Sequence, residues 1–318
     1  MSRSSSLIVK PILVMVTLAL TISCEHKEIV CPVSGEINVV FEWDHASDAD
    51  VEGMTLLFYP LEGDGRTWRF DIAGKDGGPI MIPSGTYEMI AFNNDLPGII
   101  LGATESLSTL FASARRVADD KDCGIYASTG MLYCGEISRL ELTPCGVRYV
   151  TASGTIKECG HRIVRCHPDS IATGYTVNLT RVTGMERIRS ANVILRGIRS
   201  SILLESRLSS EIPAGLAIDM SRDTDNDTLS GQGYAFPPSD PMTAKYQLSL
   251  QMKLIDGKTV VREIDVKPEN LNIITRHNVV ITIDGIVIPD GDSSGDIGGI
   301  GAVVDGWEVI EIDLEPSL

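Results

Sequence analysis

Apolar and polar residues alternate with a period of two along much of this chain. Ile37, Val39, Phe41 and Trp43 fall on one face, with Asn38 and Glu42 on the other. Trp68, Phe70 and Ile72 alternate with Arg69 and Asp71, and residues 86–93 form a further extended run. The second half repeats the style. Tyr175, Val177 and Leu179 alternate with Thr176, Asn178 and Thr180, and from Tyr246 to Leu254 every second residue is apolar. Successive side chains of a strand point to opposite faces, so each run predicts a half-buried strand. Asp256-Gly257 separates the 246–254 run from another at 259–266, which is a strong hairpin signal, and residues 278–283 add one more strand. One stretch follows a different period. Leu107, Leu110, Phe111, Ala114 and Val117 share a helical face behind Ser106, a residue suited to an N-cap, and predict a short helix over 107–117. Many short strands separated by turn residues indicate an all-β protein built of β-sandwiches rather than a parallel α/β sheet.

The ends depart from this pattern. Arg3 and Lys10 precede an apolar run from Ile12 to Leu20, and Thr21-Ile22-Ser23-Cys24 closes it. A basic start and a short apolar stretch are the layout of an export signal, and the run is shorter than the roughly 20 apolar residues that span a bilayer. A small residue directly before a cysteine predicts a lipoprotein signal over residues 1–23, with Cys24 as the lipidated first residue. Thr21 stands where leucine is usual. The charged residues Glu25 to Glu28 resemble the surface-export signal of Bacteroides-type lipoproteins, so the expected location is the outer membrane, lipid-anchored, at the cell surface. At the other end, residues 289–301 are polar and glycine-rich, the composition of a flexible segment. Beyond them Val303, Trp307, Val309 and Ile310 belong to a detached strand. The expected organisation is a tether at 24–35, a first β-sandwich domain at 36–168, a second at 169–288, and a hinge with a C-terminal strand at 289–318.

Charge and cysteines narrow the partners. The chain of 318 residues carries a net charge of −16, and loss of Arg3 and Lys10 leaves 25 basic residues against 43 acidic ones, or −18. Nucleic acid is therefore not an expected partner. With Cys24 lipidated, Cys31, Cys123, Cys134, Cys145, Cys159 and Cys166 remain. An even number in an exported protein makes them candidate disulfide cysteines, with no pairing favoured by sequence.

The motifs that could carry chemistry are incomplete. Gly291-Asp292-Ser293-Ser294-Gly295 matches the G-x-S-x-G nucleophile pattern, yet no helix pattern follows it and the last histidine, His277, lies upstream. Asp223, Asp225 and Asp227 resemble the opening of a calcium loop, but Thr228 and Tyr234 stand where that loop needs glycine and glutamate. Cys159, His161, Cys166 and His167 lack the spacing of a zinc knuckle. No nucleophile, base and orienting group assemble, so a non-enzymatic protein is expected, with no cofactor and no metal.

Several stretches carry a resemblance: Val39 to Asp44, Gly53 to Pro60, Pro83 to Glu88 running on into Phe92 to Asp95, Tyr175 to Leu179, Gly184 to Ile188, and Val304 to Trp307. Together they resemble a family of Bacteroides-type lipoproteins of unknown function, similar to fimbrillins and their anchor subunits. The resemblance implies two tandem transthyretin-like β-sandwich domains. It also implies fimbrial subunits as partners, joined by strand donation, in which a terminal strand of one subunit completes a sheet of another; Val303, Trp307, Val309 and Ile310 are the expected partner strand. Arg115-Arg116, the one basic pair weighed as a processing site, falls within the predicted helix, so a retained lipid and an anchor or accessory role are expected. The alternative is a stand-alone lipoprotein that binds a glycan or host protein, which Trp68 or Tyr234 exposed on a loop face would favour.

Overall fold

The computed structural model describes residues 34–288, apart from 64, 120–122, 152, 160 and 276, together with 307–310. Every long element is a strand, and the helical residues are confined to three 3-10 turns among the described residues.

The first pair of layers forms around the apolar face read at Ile37, Val39 and Phe41. Ser34–Phe41 is the middle strand of three. It runs parallel to Ile163–Cys166 on one side and antiparallel to Gly77–Pro83 on the other. The facing sheet has the order Ile156–Cys159, Gly146–Thr151, Tyr133–Thr143, Gly85–Asn93, Gly53–Pro60 and Trp68–Ala73. Between them Ile37, Val39, Phe41, Met54, Leu56, Phe58, Met89 and Ile137 are buried in one cluster. Phe58 meets Phe70 and Tyr87 edge to face, with ring centroids 5.8 and 6.1 Å apart, contacts worth about 0.5–1.5 kcal/mol each beyond the area they bury.

Gly53–Pro60 shows why this sheet is more than half of a sandwich. Seven of its eight residues are buried without alternation, the signature of a strand covered on both faces. Its second face belongs to another cluster, in which Leu57, Tyr59, Ile90 and Phe92 pack with Leu110, Ala112, Ile202 and Phe236. The cover is a small sheet of Ile99–Gly102, Phe111–Ala114 and Ser201–Leu203.

The predicted helix over 107–117 is not there. Leu107–Thr109 makes one 3-10 turn, the Ser106 hydroxyl accepts no capping hydrogen bond, and Phe111–Ala114 and Arg116–Asp119 are strands. Leu110, Ala112 and Ala114 are buried in alternation while Val117 is half exposed. Partners on both sides satisfy the backbone of Phe111–Ala114, so tertiary pairing overrides the local period. Arg115 and Arg116 are consequently exposed in extended chain rather than on a helix. Arg115 is still tied down, since its N–H donates to Gly98 and its carbonyl accepts from Ala127.

The second pair of layers encloses the largest cluster, with Tyr175, Val177, Leu179, Val193, Leu195, Leu216, Leu248, Leu250, Val279 and Ile281 among its members. One layer has the order Leu271–Thr275, Asn278–Asp284, Thr173–Thr180 and Thr228–Ala235. The other runs Pro213–Asp223, Ile188–Arg199, Gln247–Leu254, Thr259–Asp265 and Trp307–Ile310. The layers meet where the end of Pro213–Asp223 turns to pair with Thr228–Ala235, Ser221 facing Ser230. The predicted hairpin is present at Asp256-Gly257. Leu254 and Lys258 close it, and Gly257 takes φ +92°, the left-handed position of a three-residue loop.

Candidate interaction edge

The side of the second sandwich away from that joint ends in two edges. Leu271–Thr275 ends one layer; Thr259–Asp265 ends the other, where it carries the last described strand. The physical basis for this geometry lies in the two faces of Gln247–Leu254 and Thr259–Asp265. On the inner face Leu248, Leu250, Met252, Leu254 and Val260 are buried. On the outer face Arg196 reaches Gln247 at 3.3 Å and Glu263 at 2.7 Å, and Gln247 donates on to Asp265 at 3.3 Å. A slip of one residue would exchange these faces, so the register of the edge is strongly specified.

Trp307–Ile310 pairs antiparallel with this edge, Trp307 opposite Arg262, Glu308 opposite Val261, Val309 opposite Val260 and Ile310 opposite Thr259. The backbone groups that Thr259–Arg262 would otherwise present to solvent are thus covered by the chain's own C-terminal segment. Val303, also expected in this strand, lies outside the described residues.

Beside the edge, where the chain crosses from Thr259–Asp265 to Leu271–Thr275, a cavity of about 220 Å³ is lined by Met242, Ala244, Tyr246, Val266, Leu271 and Ile273 among others. Ala244, Val266, Leu271 and Ile273 are only partly buried against the core. Burial pushes the Tyr246 phenol above its ordinary range, so at neutral pH this rim carries no tyrosinate charge. The chemistry on offer is apolar contact and main-chain pairing. Sequence reasoning found the runs at 246–254 and 259–266 but missed this rim, because Ala244 precedes the visible period and the strand Leu271–Thr275 was not read.

The remaining candidates scatter. Cys24 and Cys31 lie outside the described residues. Cys134 and Cys166 are buried thiols in different clusters, Cys145 is exposed in the turn between Tyr133–Thr143 and Gly146–Thr151, and none of these three is in a disulfide. Cys123 sits half-buried near Gly215, and Cys159 ends the strand Ile156–Cys159. Asp223, Asp225 and Asp227 form a hairpin tip. Asp223 accepts from the Asp225 and Asn226 N–H groups and from the Asn226 side chain, bonds that hold its carboxyl below the usual range. Its oxygens are therefore engaged in closing the turn. Trp68 and Tyr234 lie on strands, half-buried, Trp68 beneath the Arg66 guanidinium at 4.9 Å and Tyr234 bonded to Gln232. Neither is the loop-face aromatic that glycan stacking calls for.

Comparison with known proteins gives this geometry a context. Residues 23–219 match the family model described as "Domain of unknown function (DUF5119)". A relative from Bacteroides ovatus described as "Putative fimbrium anchoring subunit Fim4B" is 31% identical over 98 residues, 30% of this chain and 29% of that relative. The chain thus matches less than a third of the curated relative's length. Among solved structures, "a putative adhesin from Bacteroides ovatus ATCC 8483" aligns with a TM-score of 0.59 at 18% identity, covering 84% of this chain and 98% of the other. "The fimbrial anchor protein Mfa2 from Porphyromonas gingivalis" aligns with a TM-score of 0.47 at 12% identity, covering 78% of this chain and 90% of the other. The resemblance read from the sequence is borne out by the family match.

Proposed function

The chain belongs to the DUF5119 family, and on that premise we propose that it is a surface-exposed structural lipoprotein, an anchor or accessory subunit of a fimbria-like adhesive assembly. Cys24 carries the lipid and holds the protein in the outer membrane. Two tandem transthyretin-like sandwiches, 36–168 and 169–288, project from it, and the segment with Val303, Trp307, Val309 and Ile310 joins the next subunit by strand donation. Its work is mechanical and adhesive rather than catalytic.

The observation that carries this reading is the position of Trp307–Ile310. Among the described residues it is the last strand of its layer and pairs through one side only, and a glycine-rich run separates it in sequence from the body of the sandwich. A strand held in this way can leave its own edge and pair with the equivalent edge of a partner, exchanging one set of main-chain hydrogen bonds for another at little net cost. The name of the curated relative supports the same class of role.

Deletion of residues 289–318 is the direct test. The shortened chain should keep the circular dichroism and cooperative melting of the full chain, yet recover no β-sandwich subunits other than copies of itself in cross-linking and pull-down from intact cells. Recovery undiminished by the deletion would rule out strand donation through this segment.

A further inference from the structure

We infer that the ends of two neighbouring strands in the first sandwich form a binding site for a divalent transition-metal ion of the zinc class, with Glu42, Asp44 and His167 as ligands. The argument starts from the parallel pairing of Ser34–Phe41 with Ile163–Cys166. Their register closes at Phe41 and Cys166, and the Glu42 N–H donates to the Cys166 carbonyl at 2.8 Å. Glu42 and His167 therefore leave the sheet side by side. Trp43 turns inward, its indole edge to face with Tyr133 and its Nε1 donating to the Lys75 carbonyl at 2.8 Å. The residues on either side of it, Glu42 and Asp44, are left toward His167. A tight turn, Ala46 N–H to the Trp43 carbonyl at 3.0 Å, fixes Asp44 and His45 beside them.

The donors of the three residues gather around the His167 ring. His167 Nε2 lies 3.4 Å from Glu42 Oε2, and His167 Nδ1 lies 3.5 Å from Asp44 Oδ2. One donor atom from each of the three residues falls within 4.8 Å of the others. A charged N–H···O bond is shorter, at about 2.7–2.9 Å. The two ring nitrogens cannot face one ion, so an ion held through one of them takes the carboxylate beside that nitrogen and draws in the other, which the exposed Asp44 allows. Arg165 bonds to the other oxygen of Glu42, which leaves Oε2 facing His167. A partner that fixes a ligating carboxylate in this way is a recurrent support of metal sites. The His45 ring lies farther off, its centroid 6.5 Å from that of His167, so water completes the coordination. Asp44 and His45 are exposed, so an ion can enter from solvent. Imidazole with carboxylates suits zinc and its neighbours, while calcium and magnesium prefer all-oxygen sets.

Histidine and cysteine spacing alone could not find this site. The sequence brings Cys159, His161, Cys166 and His167 to mind, but Cys166 is buried in the core while His167, next to it, faces the surface. The true neighbours of His167 lie more than 120 residues earlier.

Isothermal titration of the purified full chain, stripped with chelator, tests the inference with zinc chloride, calcium chloride and cobalt chloride as probes. Zinc should bind with one-to-one stoichiometry and calcium should not. His167→Gln and Asp44→Asn should each weaken zinc binding tenfold or more, whereas His161→Gln and His277→Gln should leave it unchanged. Asp44 is exposed, so its loss does not threaten the fold. The cobalt complex should show d–d absorption without a thiolate charge-transfer band. No saturable zinc binding, binding that survives both His167→Gln and Asp44→Asn, or a thiolate band would each overturn the assignment, leaving an ordinary histidine–carboxylate contact or a cysteine site elsewhere.

Discussion

Three consecutive residues in the strand Tyr133–Thr143 face three different environments. Cys134 points into the cluster between the two sandwiches, and burial pushes its thiol up to about 12. It is protonated at neutral pH and a poor nucleophile. Cys166, also raised by burial, belongs to the core on the other side of the same sheet. The opposite placement of these thiols explains why two near neighbours are no disulfide pair. Glu136 borders a polar cavity of about 300 Å³ with His45, His167, Asp169 and Arg207. Burial raises its carboxyl, with Glu205 and Glu88 adding to the effect and Arg207 opposing it. Gly135 lies between them and has no room for a side chain. A Cβ there would stand 2.5 Å from the Cys166 sulfur and 3.2 Å from the His167 backbone. Because backbone cannot yield as a flexible side chain can, Gly135→Ala should cost about 1–3 kcal/mol. Urea unfolding measures it, and a cost under a few tenths would mean that the 166–168 segment shifts away from Gly135 more easily than its close approach implies.

Elements obey the sequence where burial is one-sided. Ser34–Phe41, Thr173–Thr180 and Gln247–Leu254 each bury one face, so their alternation could be read directly. Phe111–Ala114 could not be read in this way. Its inward residues are small alanines with weak hydrophobic signal, and Leu107 and Leu110 before it fall by chance at helical spacing. The pairing that decides the matter comes from Ser201–Leu203, some ninety residues later. The same limit applies to the candidate edge: the strand at its rim was legible, whereas its seat on Thr259–Asp265 depends on a long-range register that local pattern does not encode. That seat has an element-level consequence. An exposed edge templates pairing with other chains, so a chain ending at Ile288 should self-associate more than the full chain. Light scattering after size exclusion should show dimers or larger species, and added peptide 302–314 should reverse them. A strictly monomeric truncated chain would mean that the edge is protected by other means.

At the scale of the molecule the two sandwiches are stitched rather than merely joined. Gly124–Tyr126, from the first half of the sequence, runs parallel to Ala214–Leu216 and extends a sheet of the second sandwich. Ser201–Leu203, from the second half, closes the small sheet over the first. The Thr129 N–H donates to Tyr234, and the Leu204 N–H donates to Leu110. The shared cluster draws Leu57, Ile90, Leu110, Ile202 and Phe236 from both halves. Leu110→Ala should therefore cost about 2–5 kcal/mol and lower one common transition in calorimetry. Two resolved transitions, of which only one moves, would show that the halves melt independently. A further consequence concerns force. Ser34–Phe41 is the first described strand, and it lies between two neighbours, paired over Ser34–Val40 on one side and over Asn38–Phe41 on the other. Tension entering ahead of Ser34 and directed along the strand would load these hydrogen bonds together, in shear. Trp307–Ile310 holds by one short pairing on one side. Stretched between its ends, the protein would surrender its last described strand long before its first, and its body would stay folded while that strand gave way.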